Sequence, residues 1–501
     1  MSKRIGGVVA LAGLCALSLF LLNCGSSSSR PSGLVYVLTQ GTNAQGLPGI
    51  GYNVSSFSID FDNGTLSLVN SNASTCLTTA SNANPEPCGL PLDILLDPAG
   101  GSAFVLNQGI PCANGVCASN NPVPPSISAY TVNSDGSLSN PGTPVTWTCI
   151  NVPAPCPNPP TQGVPGTGYD TAVGMTRDAA GQFLFVIDRG EYPPAVGCPG
   201  AGTADPSNPI YTGCPSITVF AATPGSATLT PASGSPFYLS KTPSALSAIT
   251  FTPPNGSAQE LLFVTNNYDL CTVSCDFPPA PPGPAPPNDN TVSVYSVSSS
   301  GVLTEQQNSP YALSHTTDPI SVIAVDTNPP TENTGGVFVY VGQGGLVGAL
   351  YPFQVCTVVS AVCTSADVAV NLMTPLATCL QVIGCEVPPT NLGQDPVAML
   401  VDPTNSFLYV VSQGSNQVYG FDIATTAGTL TSLAGSPQPS QGAQPGSMAM
   451  HPSVNNTGQY LYVSNSNSQS IAGFTLSTTS GSMSNATTVI TPSAPSGMAA
   501  H

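Results

Sequence analysis

The residues able to do chemistry fall into three groups. Asp170, Asp318 and Asp395 each stand just ahead of an apolar, strand-like segment, Asp188, Arg189 and Glu191 cluster just after one, and so do Asn266, Asn267 and Asp269. Carboxylates and amides are oxygen ligands, so a ring of them suits Ca²⁺. It equally suits a neutral polar ligand steadied by Arg189 as the lone cation. The same residue types also build turns and cap strands, so the pattern leaves a structural role open. Apart from Ca²⁺ as an option, no cofactor or metal is expected: the one tryptophan, Trp147, does not support a quinone site of the kind that relies on repeated indoles. His315 is the only histidine expected near the carboxylates, because His451 and His501 occupy turn positions elsewhere in the repeat described below.

Thiols form the second pattern. Setting aside Cys15 and Cys24, fourteen cysteines fall along the chain as seven neighbouring couples: Cys76 with Cys88, Cys112 with Cys117, Cys149 with Cys156, Cys198 with Cys214, Cys271 with Cys275, Cys356 with Cys363, and Cys379 with Cys385. An even set of local couples reads as loop disulfides made in an oxidising compartment. A zinc site is disfavoured, since no couple has the two-residue gap of a zinc knuckle and none has a neighbouring histidine.

The start of the chain agrees with that compartment. Lys3 and Arg4 precede an uncharged apolar run from Ile5 to Leu22, the order of parts in a signal peptide. Leu21-Leu22-Asn23-Cys24 resembles a bacterial lipobox, with Asn23 where a small residue is usual. The expected organisation is a signal peptide over 1–23, a lipidated Cys24, a Ser-rich tether over 24–33 and a folded body over 34–501. An uncleaved amino-terminal anchor is the alternative, because the run is just long enough to span a bilayer. Either way the body lies outside the cytoplasm, in the cell envelope, with the membrane as partner through its anchor.

Charge excludes several partners. Of six Lys and Arg residues, two belong to the signal, leaving Arg30, Arg177, Arg189 and Lys241 against 24 acids, a balance of 4 − 24 = −20. Such a chain has no electrostatic footprint for nucleic acid. Four cations also cannot furnish the clamp that a phosphorylated ligand calls for.

The elements that position these residues are repeats. An aromatic-valine pair recurs seven times, at Tyr36-Val37, Phe104-Val105, Phe185-Val186, Phe263-Val264, Tyr340-Val341, Tyr409-Val410 and Tyr462-Val463. After each comes a second strand-like segment ending in an aromatic, such as Val54 to Phe57 or Val418 to Phe421, with alternation suited to a half-buried strand. Blade five departs, with Val347 to Leu350 there. Next comes a Gly-x-apolar turn, as at Gly64 with Leu66 and Gly428 with Leu430, where glycine supplies a positive φ. A final segment, such as Pro396 to Asp402-Pro403, precedes each aromatic-valine pair except the first. Its missing copy is at the far end: Ala494 to His501 matches Gln444 to His451 in register. The expectation is an all-β, seven-bladed propeller whose carboxy-terminal strand completes blade one, removing exposed sheet edges.

These motifs resemble the YVTN type and the lactonase family of seven-bladed, WD-repeat-like propellers, which includes 6-phosphogluconolactonase, and the resemblance covers essentially the whole body. It implies the fold; the motifs are blade scaffolding and leave the activity open. For a lactonase, His315 or Glu191 would be the base and Arg189 the electrophile, and Asp188 matches the aspartate that ends the family's strand-to-loop stretch. The family's histidine-containing inner strand has no counterpart, since the chain reads Thr171 to Thr176 there.

Topology places the long insertions. Six cysteine couples fall in loops on one face, and Cys356 with Cys363 in a hairpin on the opposite face. Asp97, Asp326 and Asp402 fall in turns on that opposite face as structural Asx turns. A rigid looped face suits binding. The sequence therefore favours a non-catalytic module that binds a protein, glycan or small molecule through the looped face, with a lactonase-like hydrolase of a non-phosphorylated lactone as the alternative.

Overall fold

The computed structural model describes residues 33–40, 53–74, 91–108, 125–139, 141, 144–146, 172–189, 215–239, 241–253, 256–266, 290–313, 319–328, 335–345, 347–357, 363, 368, 373–375, 390–451 and 459–501. They form seven antiparallel sheets arranged as the blades of a propeller. From the axis outward, blade two contains Pro91–Leu96, Ser102–Asn107, Ser126–Thr131 and Val145–Thr146. Blade six contains Pro396–Val401, Phe407–Ser412 and Gln417–Ile423, followed by an outer strand in two pieces, Leu430–Ser432 and Gln438–Pro439. Blades three, four and five share that broken outer strand, so they have five named strands where the repeat suggested four. In blades three, four and six a serine hydroxyl sits in the gap and accepts a third-strand amide: Ser235 from Val219, Ser309 from Val294 and Ser436 from Gly420.

The ring closes as the repeats require. Ala494–Ala500 is the innermost strand of blade one and pairs with Leu34–Gln40, the second strand, with Leu34 and His501 exchanging two backbone hydrogen bonds of 2.9 Å. The other innermost strands are Ala172–Arg177, Pro243–Phe251, Pro319–Asp326 and Pro445–His451, in blades three, four, five and seven. Each packs on the innermost strands of both neighbours, so the seven surround the axis as a continuous wall.

Alternation along the second strands does not divide core from solvent, because both faces of a blade are covered by its neighbours. Ser102–Asn107, Phe183–Asp188 and Gln459–Asn465 are buried at every position. Alternate side chains enter two different cores. Leu34, Tyr36 and Leu38 pack with Val105 of blade two, whereas Val35 and Val37 pack with Tyr462 of blade seven. Seven such clusters exist among the described residues, one at each blade junction.

The repeat motifs turn out to be docking devices. The hydroxyls of Tyr36, Tyr340, Tyr409 and Tyr462 donate to the carbonyls of Gly136, Gly428, Gly481 and Gly64, the turn glycines of the next blade. Two residues earlier, a bulky side chain packs on the same glycine. At Gly481, where φ is +64°, an added Cβ would stand 2.5 Å from Phe407 Cδ1. Glycine is thus required twice over, for its positive φ and for the close approach.

Candidate active site

The axial wall is almost without charge. Within the seven innermost strands, Arg177, Asp326 and His451 are final residues on the far face, and Asp93 is the one ionisable residue in a strand interior. Asp93 is the third residue of Pro91–Leu96, in the half of the wall nearer the looped face, and it is half-buried. Its Oδ1 accepts the amide of Ile94 at 2.8 Å, and its carboxyl also takes a hydrogen bond from the backbone of Met175 in blade three. Burial dominates these bonds and pushes the carboxyl up to about 6. Desolvation disfavours the charged form, and two amides recover only part of that cost.

Blade seven supplies the comparison. Ser447 occupies the matching place, opposite Ser464 as Asp93 is opposite Leu106, and its hydroxyl accepts the amide of Met498 in blade one at 3.1 Å. A neutral hydroxyl therefore suffices to stitch neighbouring innermost strands. Other junctions do so as well: Ser244 donates to the Pro319 carbonyl, Ser321 to that of Pro396 and Ser496 to that of Pro91. An acid at this place exceeds what the scaffold needs, which is what marks Asp93 as a functional candidate. Asp93 was not among the residues expected from sequence. The signal was present: once the innermost strands, six of which carry a leading proline, are aligned, Asp93 is the only ionisable residue in their interiors.

At the looped mouth, Asp395 sits ahead of the blade six innermost strand with φ +54°, and Gln444 does the same in blade seven with φ +53°. The Asp395 carbonyl accepts the Gln413 amide at 2.8 Å, and its Oδ1 accepts the amide of Gly345 in blade five at 2.8 Å. It therefore ties two blades together at the mouth. Asn266 is buried, and its side-chain nitrogen donates to Thr291 and Ser293 on the neighbouring strand. Asn107 does the same with Ser126 and Ser128 in blade two. Register puts Asp188 in the equivalent place, opposite Ser216, and it too is fully buried. Arg189 follows at the surface of the looped face. His315, Glu191, Asp170, Asp318, Asn267 and Asp269 lie outside the described residues.

Of the cysteines, Cys356 and Cys363 form a disulfide with Cα atoms 5.5 Å apart, in the hairpin after Gly348–Val355 on the far face. The other six expected couples lie outside the described residues: Cys76 and Cys88, Cys112 and Cys117, Cys149 and Cys156, Cys198 and Cys214, Cys271 and Cys275, and Cys379 and Cys385. The same holds for Cys24. On the far face, Asp97, Asp326 and Asp402 accept amides two residues on, from Ala99, Asn328 and Thr404, as Asx turns. Among the described residues no group of three or more His, Cys, Asp or Glu side chains is arranged to hold a metal ion.

The fold is that of the lactonase-type seven-bladed propellers. A family model described as "Lactonase, 7-bladed beta-propeller" matches residues 378–500. Among solved structures, a putative 6-phosphogluconolactonase from Bacteroides uniformis superposes with a TM-score of 0.54 at 12% identity, covering 94% of this chain and 99% of that one. The periplasmic gluconolactonase of Pseudomonas aeruginosa gives 0.53 at 14% identity, covering 93% and 98%. A putative 6-phosphogluconolactonase from Bacteroides fragilis gives 0.53 at 12% identity, covering 94% and 98%. At these identities the likeness is one of fold. No curated protein matches the chain in sequence.

Proposed function

We propose that this propeller is an extracytoplasmic hydrolase of neutral, non-phosphorylated lactones, with Asp93 as general base. The observation that carries the reading is the solitary carboxyl inside an otherwise uncharged axial wall, titrating near 6 where a serine meets the structural need. At neutral pH it is ionised and close in pKa to the working range, the condition for efficient proton abstraction. In this scheme Asp93 takes a proton from water as the water oxygen bonds to the lactone carbonyl carbon. The ring C–O bond then breaks, and Asp93 returns the proton to the departing alkoxide to give the open hydroxy acid. Arg189, on the looped face of the adjacent blade, is assigned the role of steadying the carbonyl oxygen as charge develops there.

The substrate class follows from charge. With four cations after residue 23, and Arg177 on the far face, a phosphate would find no clamp. The likeness to lactonase-type propellers supports the reaction class, and the periplasmic neighbour fits export. The signal-like segment and the lipobox-like Cys24 support attachment to the cell envelope.

The test is proton release in a pH-stat by the oxidised, folded chain offered uncharged aliphatic, sugar and aromatic lactones beside a phosphorylated sugar lactone. Turnover of uncharged lactones, absent in Asp93→Asn, supports the proposal. Turnover only of the phosphorylated compound overturns the substrate class. No turnover of any lactone leaves a binding module acting through the looped face.

A further inference from the structure

A second acid, remote from the looped mouth, has no part in this chemistry. Glu260 lies near the start of Gln259–Asn266, the second strand of blade four, opposite Thr250 of the innermost strand. Its side chain lies on the same face of the strand as Leu262 and Val264, which pack into the core shared with blade three, so it points at that blade on the far face. Glu260 Oε1 is buried, and among the described residues it has no hydrogen-bond partner.

What it faces is the turn that docks blade three. Asp178 Oδ1 accepts the Phe183 amide at 2.7 Å, fixing the start of the second strand of blade three. Phe183 is the bulky residue that packs on Gly301 of blade four, where an added Cβ would stand 2.8 Å from Phe183 Cε1. Charge beside Asp178 therefore acts directly on the contact that joins the two blades. Among the described residues, the ionisable groups facing Glu260 come from blade three. They are Asp178 and, behind it, Arg177, whose Nη1 donates to the Asp178 carbonyl at 3.3 Å and whose charge is shared with Asp97 of blade two. Burial, and then Asp178, push the Glu260 carboxyl up to about 7, while burial also raises Asp178.

We propose that the junction of blades three and four on the far face is a proton-operated latch, locked while Glu260 carries its proton and loosened when deprotonation leaves a partly buried carboxylate, with one oxygen buried and unpartnered, beside Asp178. An unpaired buried charge is costly, and here the nearest formal charge is of like sign. Relief comes from opening the junction to water, which exposes Phe183 and its glycine seat.

The experiment is hydrogen exchange on the full, oxidised chain at pH 6 and pH 8, corrected for the intrinsic pH dependence of exchange. If the opened junction restores an ordinary glutamate, opening at pH 8 exceeds that at pH 6 by about tenfold. The gain should appear in peptides covering 172–188 and 259–266 and be absent from 407–423 in blade six. Glu260→Gln never ionises, so its protection should be the same at both values and at least that of the wild type at pH 6. Equal wild-type protection at the two pH values, the same pH response in Glu260→Gln, or a uniform loss over all blades would each overturn the latch. Should the variant misfold, infrared spectra of Asp93→Asn, which lacks the other carboxyl that titrates in this range, decide. A protonated carboxyl band present at pH 6 and lost by pH 8 supports the latch, and no such band at pH 6 refutes it.

Discussion

Replacing Asp93 by Asn should stabilise the propeller at neutral pH, and the size follows from the wall around it. The carboxyl is raised from 3.8 to about 6, and each unit of pKa difference between folded and unfolded states corresponds to about 1.4 kcal/mol. The folded chain holds this proton more tightly than the unfolded one, so stability is fully present below about pH 4. It declines as pH rises through the window from 3.8 to about 6, by about 3 kcal/mol in all, and is flat above. Asparagine never ionises and keeps an acceptor oxygen for one amide. Asp93→Asn should therefore match the wild type near pH 4 and exceed it by about 2–3 kcal/mol at pH 7–8. Urea midpoints across pH 4–8 with disulfides intact measure this, since all other titrating groups cancel in the difference provided the slopes agree. A variant equal to or weaker than wild type at pH 7, or a difference that does not change with pH, would refute the claim that Asp93 is desolvated in the wall.

Other consequences concern the scaffold. Tyr409→Phe removes only the hydroxyl bonded to Gly481 and should lower the urea-derived stability by about 1 kcal/mol, the worth of one buried hydrogen bond. Gly481→Ala meets both a positive φ and the Phe407 ring, and should cost more, about 2–4 kcal/mol by the same measurement. Deleting 494–501 removes the innermost strand of blade one and exposes the edge of Leu34–Gln40. The truncated chain should fail to give a soluble monomer in gel filtration. Replacing Cys356 and Cys363 together by Ser should lower the stability by about 2 kcal/mol, since the bridge closes only a short loop.

Most of the scaffold was legible because each blade repeats one set of local rules. The aromatic-valine pairs located the second strands. The likeness of Ala494–His501 to Gln444–His451 showed how the ring closes, and Asp97 and Asp402 fell in the turns expected of them. What local pattern could not show was which neighbour each side chain serves. Tyr36 and Val37 look like the two faces of an ordinary strand, yet they enter cores on opposite sides of the blade. The turn glycines likewise read as hairpin formers, whereas they also seat the preceding blade. Polar residues were harder still. Asn266 has the composition of a ligand contact, and only the register shows its amide nitrogen turned toward Thr291 and Ser293. Asp93 was obscured because it lies in an apolar strand, and its isolation emerges only when seven strands are compared.

The most direct test of the account is the pH dependence of kcat/KM for an uncharged lactone, wild type against Asp93→Asn. The account predicts a wild-type rate that climbs about tenfold per pH unit below about 6 and levels off above it. It predicts a variant at least about a hundredfold slower and without that limb. A variant that hydrolyses the lactone at the wild-type rate, with the same profile, would contradict it and remove Asp93 from the chemistry.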